Sequence, residues 1–408
     1  MNKRKIINDP VYGFITISFD LLFDLIEHPI FQRLRRIKQL GLTHYVYPGA
    51  LHTRFHHALG AMHLMQQAVK VLRQKGVDIS VEEEQAAIIA ILLHDVGHGP
   101  FSHTLEHTIM NIHHEDLSVF LMEVLNEEFD GKLDLAIKIF KKEYHKKFLY
   151  QLVSSQLDMD RMDYLNRDSF FTGVAEGVIG YDRIIKMLSV VDNELVVEEK
   201  GIYSIEKFLI ARRIMYWQVY LHRTVLSGEQ MLIRALKRTK FLIRNGQEVF
   251  ASDSLHYFMK QSILGQDLAG NRNEILNHYI QLDDVDIMSG LKKWCSHEDK
   301  VLSFISKGLV NRRLFRIEIQ DVPFESSKVQ QLRNDVRKAL NHEISDEDLD
   351  YLVFTGSESN RTYSKGKQEI KVSFKNGKVM PVSEVTDFEI SPKSTTKHYI
   401  CYPKIENV

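Results

Sequence analysis

From about Ile15 to Lys240, apolar residues recur at spacings of three and four, the period of helices that bury one face. FDLLFDLIEHPIFQRLRRIKQLG shows the pattern first. Pro29 divides it into two helices, because an interior proline costs about 3 kcal/mol, and Gly41 offers a C-cap. The run QAAIIAILLHD, residues 85–95, is apolar on every side and predicts a helix buried all round, stopped by Gly97, Gly99 and Pro100. FLIARRIMYWQVYLHRTVLSGEQMLIRALKRTKFLI reads as one long helix or two. Near Arg312 the character changes: RRLFRIEIQ, YLVFTG, QEIKVSFKNG and KHYICYPK alternate or are rich in β-branched and aromatic residues, with Lys-Asn-Gly as a turn signal and the helix SKVQQLRNDVRKALNHE among them. The predicted fold is mainly α, a large all-helical body over residues 1–311 with a smaller C-terminal α+β lobe over 312–408. Without an internal repeat or low-complexity linker, the lobe is expected to pack on the body.

Composition narrows the function. At 408 residues the chain is too long for one small core. A net charge of -1 supplies no field to recruit nucleic acid or an acidic membrane, so anion affinity must come from local clusters. MNKRKIINDP has positive charge but no apolar stretch behind it, and no run of 18 apolar residues occurs; neither a signal peptide nor a membrane helix is predicted. Cys295 and Cys401 are too few for a disulfide framework or a zinc finger, and a reduced cytoplasmic protein is the expectation.

Histidine is the exception to this ordinary composition: eleven of 19 lie between His44 and His114. The adjacent His94-Asp95 pair, at the end of the oily helix, is hard to explain as packing. Imidazole with carboxylate suits a first-row divalent ion. His57 in RFHHALG is the best third ligand; His56 points about 100° away on a helix, so only one of the two binds. A fourth, carboxylate ligand is offered by LDMDRMDYLNRD as Asp158, Asp160, Asp163 or Asp168. Asp160 and Asp163 share a helical face and Tyr164 sits at i+4, but spacing leaves the choice open. His44, His52, His63 and His107 read as structural.

In this order and with these neighbours, the residues resemble the HD superfamily of metal-dependent phosphohydrolases. FQRLRRIKQLGLTHYVYPGALHTRFHHALG, HDVGHGPFSH and LDMDRMDYLNRD are similar to its dNTP triphosphohydrolase branch over roughly residues 5–240, with core motifs in 38–170. An animal member of that branch carries an added SAM domain, which is not expected here. By position the resemblance implies His57, His94, Asp95 and Asp160 as ligands of one divalent ion (Mn, Mg, Fe, Ni or Zn). It implies Arg54 and Arg161 on the phosphates, the relative having Lys at Arg161, and Tyr164 and Asp168 at the sugar 3′-hydroxyl. Gln39 and Leu40 would line the sugar, and Arg212, Tyr220, His222 and Arg223 would reach the terminal phosphates and base. His103 is the expected proton donor, oriented by Glu106 where the relative has Asp, with His98 and His114 as helpers near the phosphates.

A regulatory guanine nucleotide (GTP or dGTP) is implied at a subunit interface by Lys5, Asn8, Asp9, Gln32 and Arg35. Glu27 stands where the relative has the base-reading Asp. The expected partners are therefore a dNTP, this activator and further copies of the chain in a dimer or tetramer, with neither membrane nor nucleic acid. The leading activity is hydrolysis of dNTP to deoxynucleoside and inorganic triphosphate. The alternatives are an HD phosphohydrolase acting on another nucleotide or phosphate ester, and a weakly catalytic nucleotide-binding sensor.

Overall fold

The computed structural model describes residues 5–340, 344–360, 369–386 and 395–404. The fold is mainly helical, with a smaller α+β region toward the C-terminus. At its centre the helix Arg54–Gln74 packs between Val81–Leu93 and Met159–Thr172. Val81–Leu93 is the oily run, and every residue from Ala86 to Leu93 is buried. Its start is fixed by a capping box: Glu83 N donates to Ser80 Oγ at 3.2 Å and Ser80 N to Glu83 Oε2 at 2.8 Å. Its end delivers His94 and Asp95 into the interior, as the pattern predicts.

Pro29 does separate two helices, Asp20–Glu27 and Pro29–Gln32, the proline taking the first helical turn where its missing N–H costs nothing. The helix expected to run on to Gly41 stops earlier, in the short turn Arg33–Arg36. The cause is Arg33, which is fully buried and donates to the carbonyls of Leu282 (3.0 Å), Val96 (3.3 Å) and His98 (2.7 Å). The chain then turns extended at Ile37, and Lys38 bridges to Thr53.

The long basic-aromatic stretch is two helices, Ile202–Met215 and Arg223–Arg244. Between them Tyr216–Tyr220 forms a π turn, an uncommon widening of the helix that is frequent at functional sites.

The strands are β1 (Ile6–Asp9), β2 (Gly13–Thr16), β3 (Leu188–Val191), β4 (Glu194–Glu198), β5 (Arg316–Gln320), β6 (Phe354–Asn360), β7 (Lys371–Ser373), β8 (Val379–Pro381) and β9 (Thr395–Tyr402). β1 and β2 form a hairpin; β5-β9-β6 form an antiparallel sheet with β9 in the middle. The third sheet, β3-β4-β7-β8, joins the two regions of the chain, because β7 pairs parallel to β4, with Val197 opposite Val372. An open β4 edge would leave backbone groups unpaired, and β7 fills it. The strand β7 is thus paired into a sheet begun by the helical body.

Candidate metal centre and adjoining cavity

Three central helices and the turn after His94 bring the predicted ligands together. His57 Nε2 lies 3.4 Å from His94 Nε2. Asp160 Oδ1 is 3.2 Å from the first and 3.5 Å from the second. Asp95 Oδ1 is 3.3 Å from His94 Nε2, and its Oδ2 is 3.6 Å from His57 Nε2.

The other ring nitrogens show what this cluster is built to hold. His94 Nδ1 is 2.6 Å from the Ile91 carbonyl, which can only accept, so Nδ1 carries the hydrogen. His57 Nδ1 donates to Asp163 Oδ2 at 2.7 Å. In their neutral forms both rings therefore turn Nε2 lone pairs toward each other and toward two carboxylates. Such a set repels itself unless a cation sits among it, so the residues present fit a divalent metal ion. Without the metal a proton meets the same demand. Burial alone would lower His57, but hydrogen bonds to Asp160 and Asp163 outweigh it and hold the ring up at about 10. Burial would raise Asp95, yet His94, Arg54 and His98 hold it well below the usual carboxylate range.

The four aspartates have four different surroundings. Asp158 caps its helix, accepting from Arg161 N and Ser155 N at 2.7 Å each, and burial pushes it up to about 6. Asp160 reaches the ring nitrogens. Asp163 lies behind His57, held by Arg167 Nε (3.0 Å to Oδ2) and Nη2 (3.0 Å to Oδ1). Asp168 accepts from His52 Nε2 at 2.7 Å and the Tyr220 hydroxyl at 2.8 Å.

A cavity of about 560 Å³ opens beside this cluster, within the range of small-ligand sites. Of the expected substrate residues, Gln39, Leu40, Arg54, Tyr164, Asp168 and Tyr220 line it. Arg54 pairs with Asp95 and donates to Ser102 Oγ at 2.8 Å, which ties the cavity wall to the metal cluster. Gln39 Oε1 is buried with no partner among the described residues, as are Arg161 Nε and Arg212 Nε. Arg212 Nη1 donates to Gln156 at 3.0 Å. Four expected residues are not among its lining: Arg161 and Arg212, His222, which caps the helix Arg223–Arg244 with Thr224 N donating to its Nδ1 at 3.2 Å, and Arg223, which is exposed.

His98 Nε2 is 3.3 Å from Asp95 Oδ1 and stacks on His114 at 3.9 Å between ring centres. Glu106, expected to orient His103, lies 3.0 Å from His114 Nδ1 and accepts from its backbone N at 2.9 Å. His103 is on the turn Ser102–Leu105, but its side chain lies outside the described residues.

The expected regulatory residues gather around Asp20–Glu27 and the β1-β2 hairpin. Lys5 lies over the Phe23 ring at 4.4 Å, and Gln32 Nε2 donates to the Ile26 carbonyl at 2.7 Å. Arg35 stacks on Phe55 at 3.6 Å, Asn8 is paired with Phe14, and Glu27 is exposed. Asp9 faces inward, accepting from Arg167 Nη1 at 2.7 Å.

Sequence reasoning left three participants unidentified. His52, read as structural, orients Asp168 while stacked on Phe171. Arg167 was findable as the i+4 partner of Asp163. Glu229, on the cavity wall, carries no local sequence signal.

The HD domain family model matches residues 54–168, from Arg54 to Asp168, and an HD associated region follows at 179–254. A phosphohydrolase crystal structure from Bacteroides thetaiotaomicron is 49% identical with a TM-score of 0.94, covering 98% of this chain and 100% of that one. The uncharacterized Bacillus subtilis protein YwfO is 32% identical over 99% of this chain and 93% of its own length. Human deoxynucleoside triphosphate triphosphohydrolase SAMHD1 is 32% identical over 55% of this chain and 42% of its own. This chain thus spans less than half of that relative.

Proposed function

The chain belongs to the HD superfamily of metal-dependent phosphohydrolases, and from that premise we propose that it is a dNTP triphosphohydrolase. Water attacks the α-phosphorus, the bond to the 5′-oxygen breaks, and the products are a deoxynucleoside and inorganic triphosphate. The observation that carries this reading is the continuity of one cavity wall from Arg54, paired with Asp95 of the metal cluster, to Tyr164 and Asp168.

A divalent metal held by His57, His94, Asp95 and Asp160 supplies Lewis-acid polarisation of the phosphate and a more acidic water when bound. Arg54, Arg161 and Arg212 hold the phosphate oxygens; a guanidinium can fork onto two of them, and the unsatisfied Nε groups of Arg161 and Arg212 need acceptors. Asp168, fixed by His52 and Tyr220, accepts from the sugar 3′-hydroxyl beside Tyr164, while Gln39 and Leu40 border the sugar. His103 gives the leaving 5′-oxygen its proton, and His98 and His114 support the phosphates. A guanine nucleotide bound near Lys5, Asn8, Asp9, Glu27, Gln32 and Arg35, between copies of the chain, is the proposed activator. No helix among the described residues is long and apolar enough to cross a membrane.

Product analysis over four dNTPs and four rNTPs, with Mn or Mg and with or without GTP, tests the proposal. Deoxynucleoside plus triphosphate supports it; dNMP plus pyrophosphate, or no turnover of any dNTP, removes it. One observation favours a second reading. With Arg223 exposed and His222 spent on a helix cap, fewer cations than expected face the cavity, which suits a less highly charged nucleotide or phosphate ester.

A further inference from the structure

The nucleotide reading uses Arg54, Tyr164, Asp168 and Tyr220 but leaves part of the cavity wall without a role. Glu229 and Gln230, on the helix Arg223–Arg244, and Glu358, on β6, line the same cavity. They bring two carboxyls and a primary amide to one wall that also carries the apolar faces of Leu226 and Ile233. The chemistry of this wall differs from that of the phosphate side: carboxyls repel phosphate, so it does not extend the phosphate grip. Apolar faces with hydrogen-bonding groups at their edge suit a flat heteroaromatic ring that offers N–H donors.

We propose that Glu229 and Glu358, assisted by Gln230, read the base of the nucleotide and select rings bearing an exocyclic amino group (adenine, cytosine, guanine) over thymine. The inference rests on the nucleotide reading above. Adenine, cytosine and guanine each present an amino group whose hydrogens a carboxyl oxygen accepts. Thymine flanks its single ring N–H with two carbonyl oxygens, which two ionised glutamates, having no hydrogen to donate, oppose. Discrimination by a site built to hydrogen-bond is stronger than by shape, because the wrong ligand leaves buried groups unpaired. The setting raises the stakes: burial pushes Glu229 up to about 8 against a hydrogen bond from Thr104, with Glu358 adding to the rise, and burial raises Glu358 as well. Glu358 also gives the C-terminal sheet a part in the site, since β6 carries it to a wall otherwise made by the helical body.

The test is calorimetric binding of dATP, dCTP, dGTP and dTTP to the full chain in calcium, above the value of about 8 at which Glu229 gives up its proton, followed by kcat/KM for each in manganese. Wild type is expected to bind dTTP about tenfold more weakly than the best amino-bearing dNTP, the scale of one good base contact. Glu229→Gln and Glu358→Gln are expected to narrow that gap, chiefly by improving dTTP, with a single cooperative melting transition showing that each folds. Four dNTPs bound within about threefold of one another by wild type, or a gap that survives in the double variant, overturns the inference. If dNTPs are turned over without base selection, the triphosphohydrolase reading stands and this inference fails. If base-selective binding occurs without turnover to triphosphate, the inference stands and that reading fails. Absence of any dNTP binding sinks both.

Discussion

Asp163 holds the Nδ1 edge of His57 at 2.7 Å while Arg167 holds both oxygens of Asp163, so a fully buried arginine fixes the aim of a candidate metal ligand from behind. Groups in this position usually tune metal affinity by about 10–100-fold. Asp163→Asn keeps the shape and weakens both bonds, and it should lower metal affinity by roughly that factor. Metal titration of the chelated protein measures it; unchanged affinity would show that His57 needs no such support. Asp163→Ala should cost more, about 3–5 kcal/mol of stability, because Arg167 is left buried with only Asp9.

Gly60 probes the same contact without altering any polar group. A Cβ added there would collide with Asp163 Oδ1 and Arg167 Nη2. Gly60→Ala, normally a gain in a helix, should instead destabilise the fold and reduce bound metal, read by melting temperature and elemental analysis. A rise in melting temperature at full metal content would contradict the geometry.

Removing the cluster should separate metal from fold. His94→Ala with Asp95→Ala, or chelation of wild type, should abolish hydrolysis. The chelated protein should regain activity on adding metal, the double variant should not. Phosphatase-type activity persisting in the double variant would place the chemistry elsewhere.

His52 offers a test at the sugar end. His52→Ala removes the donor to Asp168 and the ring stacked on Phe171 at 4.5 Å. The expected outcome is a fall in kcat/KM of about tenfold or more, since misplacing a positioned group is costly, with metal content unchanged. Loss of metal instead would mean that His52 supports the helix as a whole.

Glu229 should leave a mark on stability against pH. Its carboxyl titrates at about 8 in the folded chain, where burial disfavours charge, and near 4.5 when unfolded. Between those values the folded state keeps a proton that the unfolded state has released, so this group lowers stability as pH rises from about 4.5 to 8. Wild type should therefore lose melting temperature relative to Glu229→Gln across that interval and not below it. Parallel curves would show that the carboxyl is solvated.

Much of the site was legible because its chemistry is unusual for its surroundings. His94 and Asp95 at the end of a helix apolar on all sides could be read as cation ligands without a partner in view. Choosing among Asp158, Asp160, Asp163 and Asp168 could not be done by spacing, since the choice depends on which one caps the helix and which lies behind His57. The burial of Arg33 was illegible for a related reason: nothing in a helical pattern marks one arginine as buried, and the carbonyls of Leu282, Val96 and His98 that make it tolerable lie far along the chain. Strand alternation identified most of the C-terminal strands, but alternation says which face is buried and not which edge is paired. The parallel meeting of β7 with β4, whose paired residues are 175 apart, was beyond it.

The order of β5-β9-β6 also has a meaning in time. β9 is the middle strand and the latest in sequence, and neither β5 nor β6 pairs with the other. During synthesis the sheet cannot close until β9 has emerged, long after the helices bearing His57, His94 and Asp160 are available to pack. Glu358 rides on β6, so its side of the cavity is assembled last. A ribosome-bound chain stalled before β9 would already possess its candidate metal ligands while the opposite wall was still open.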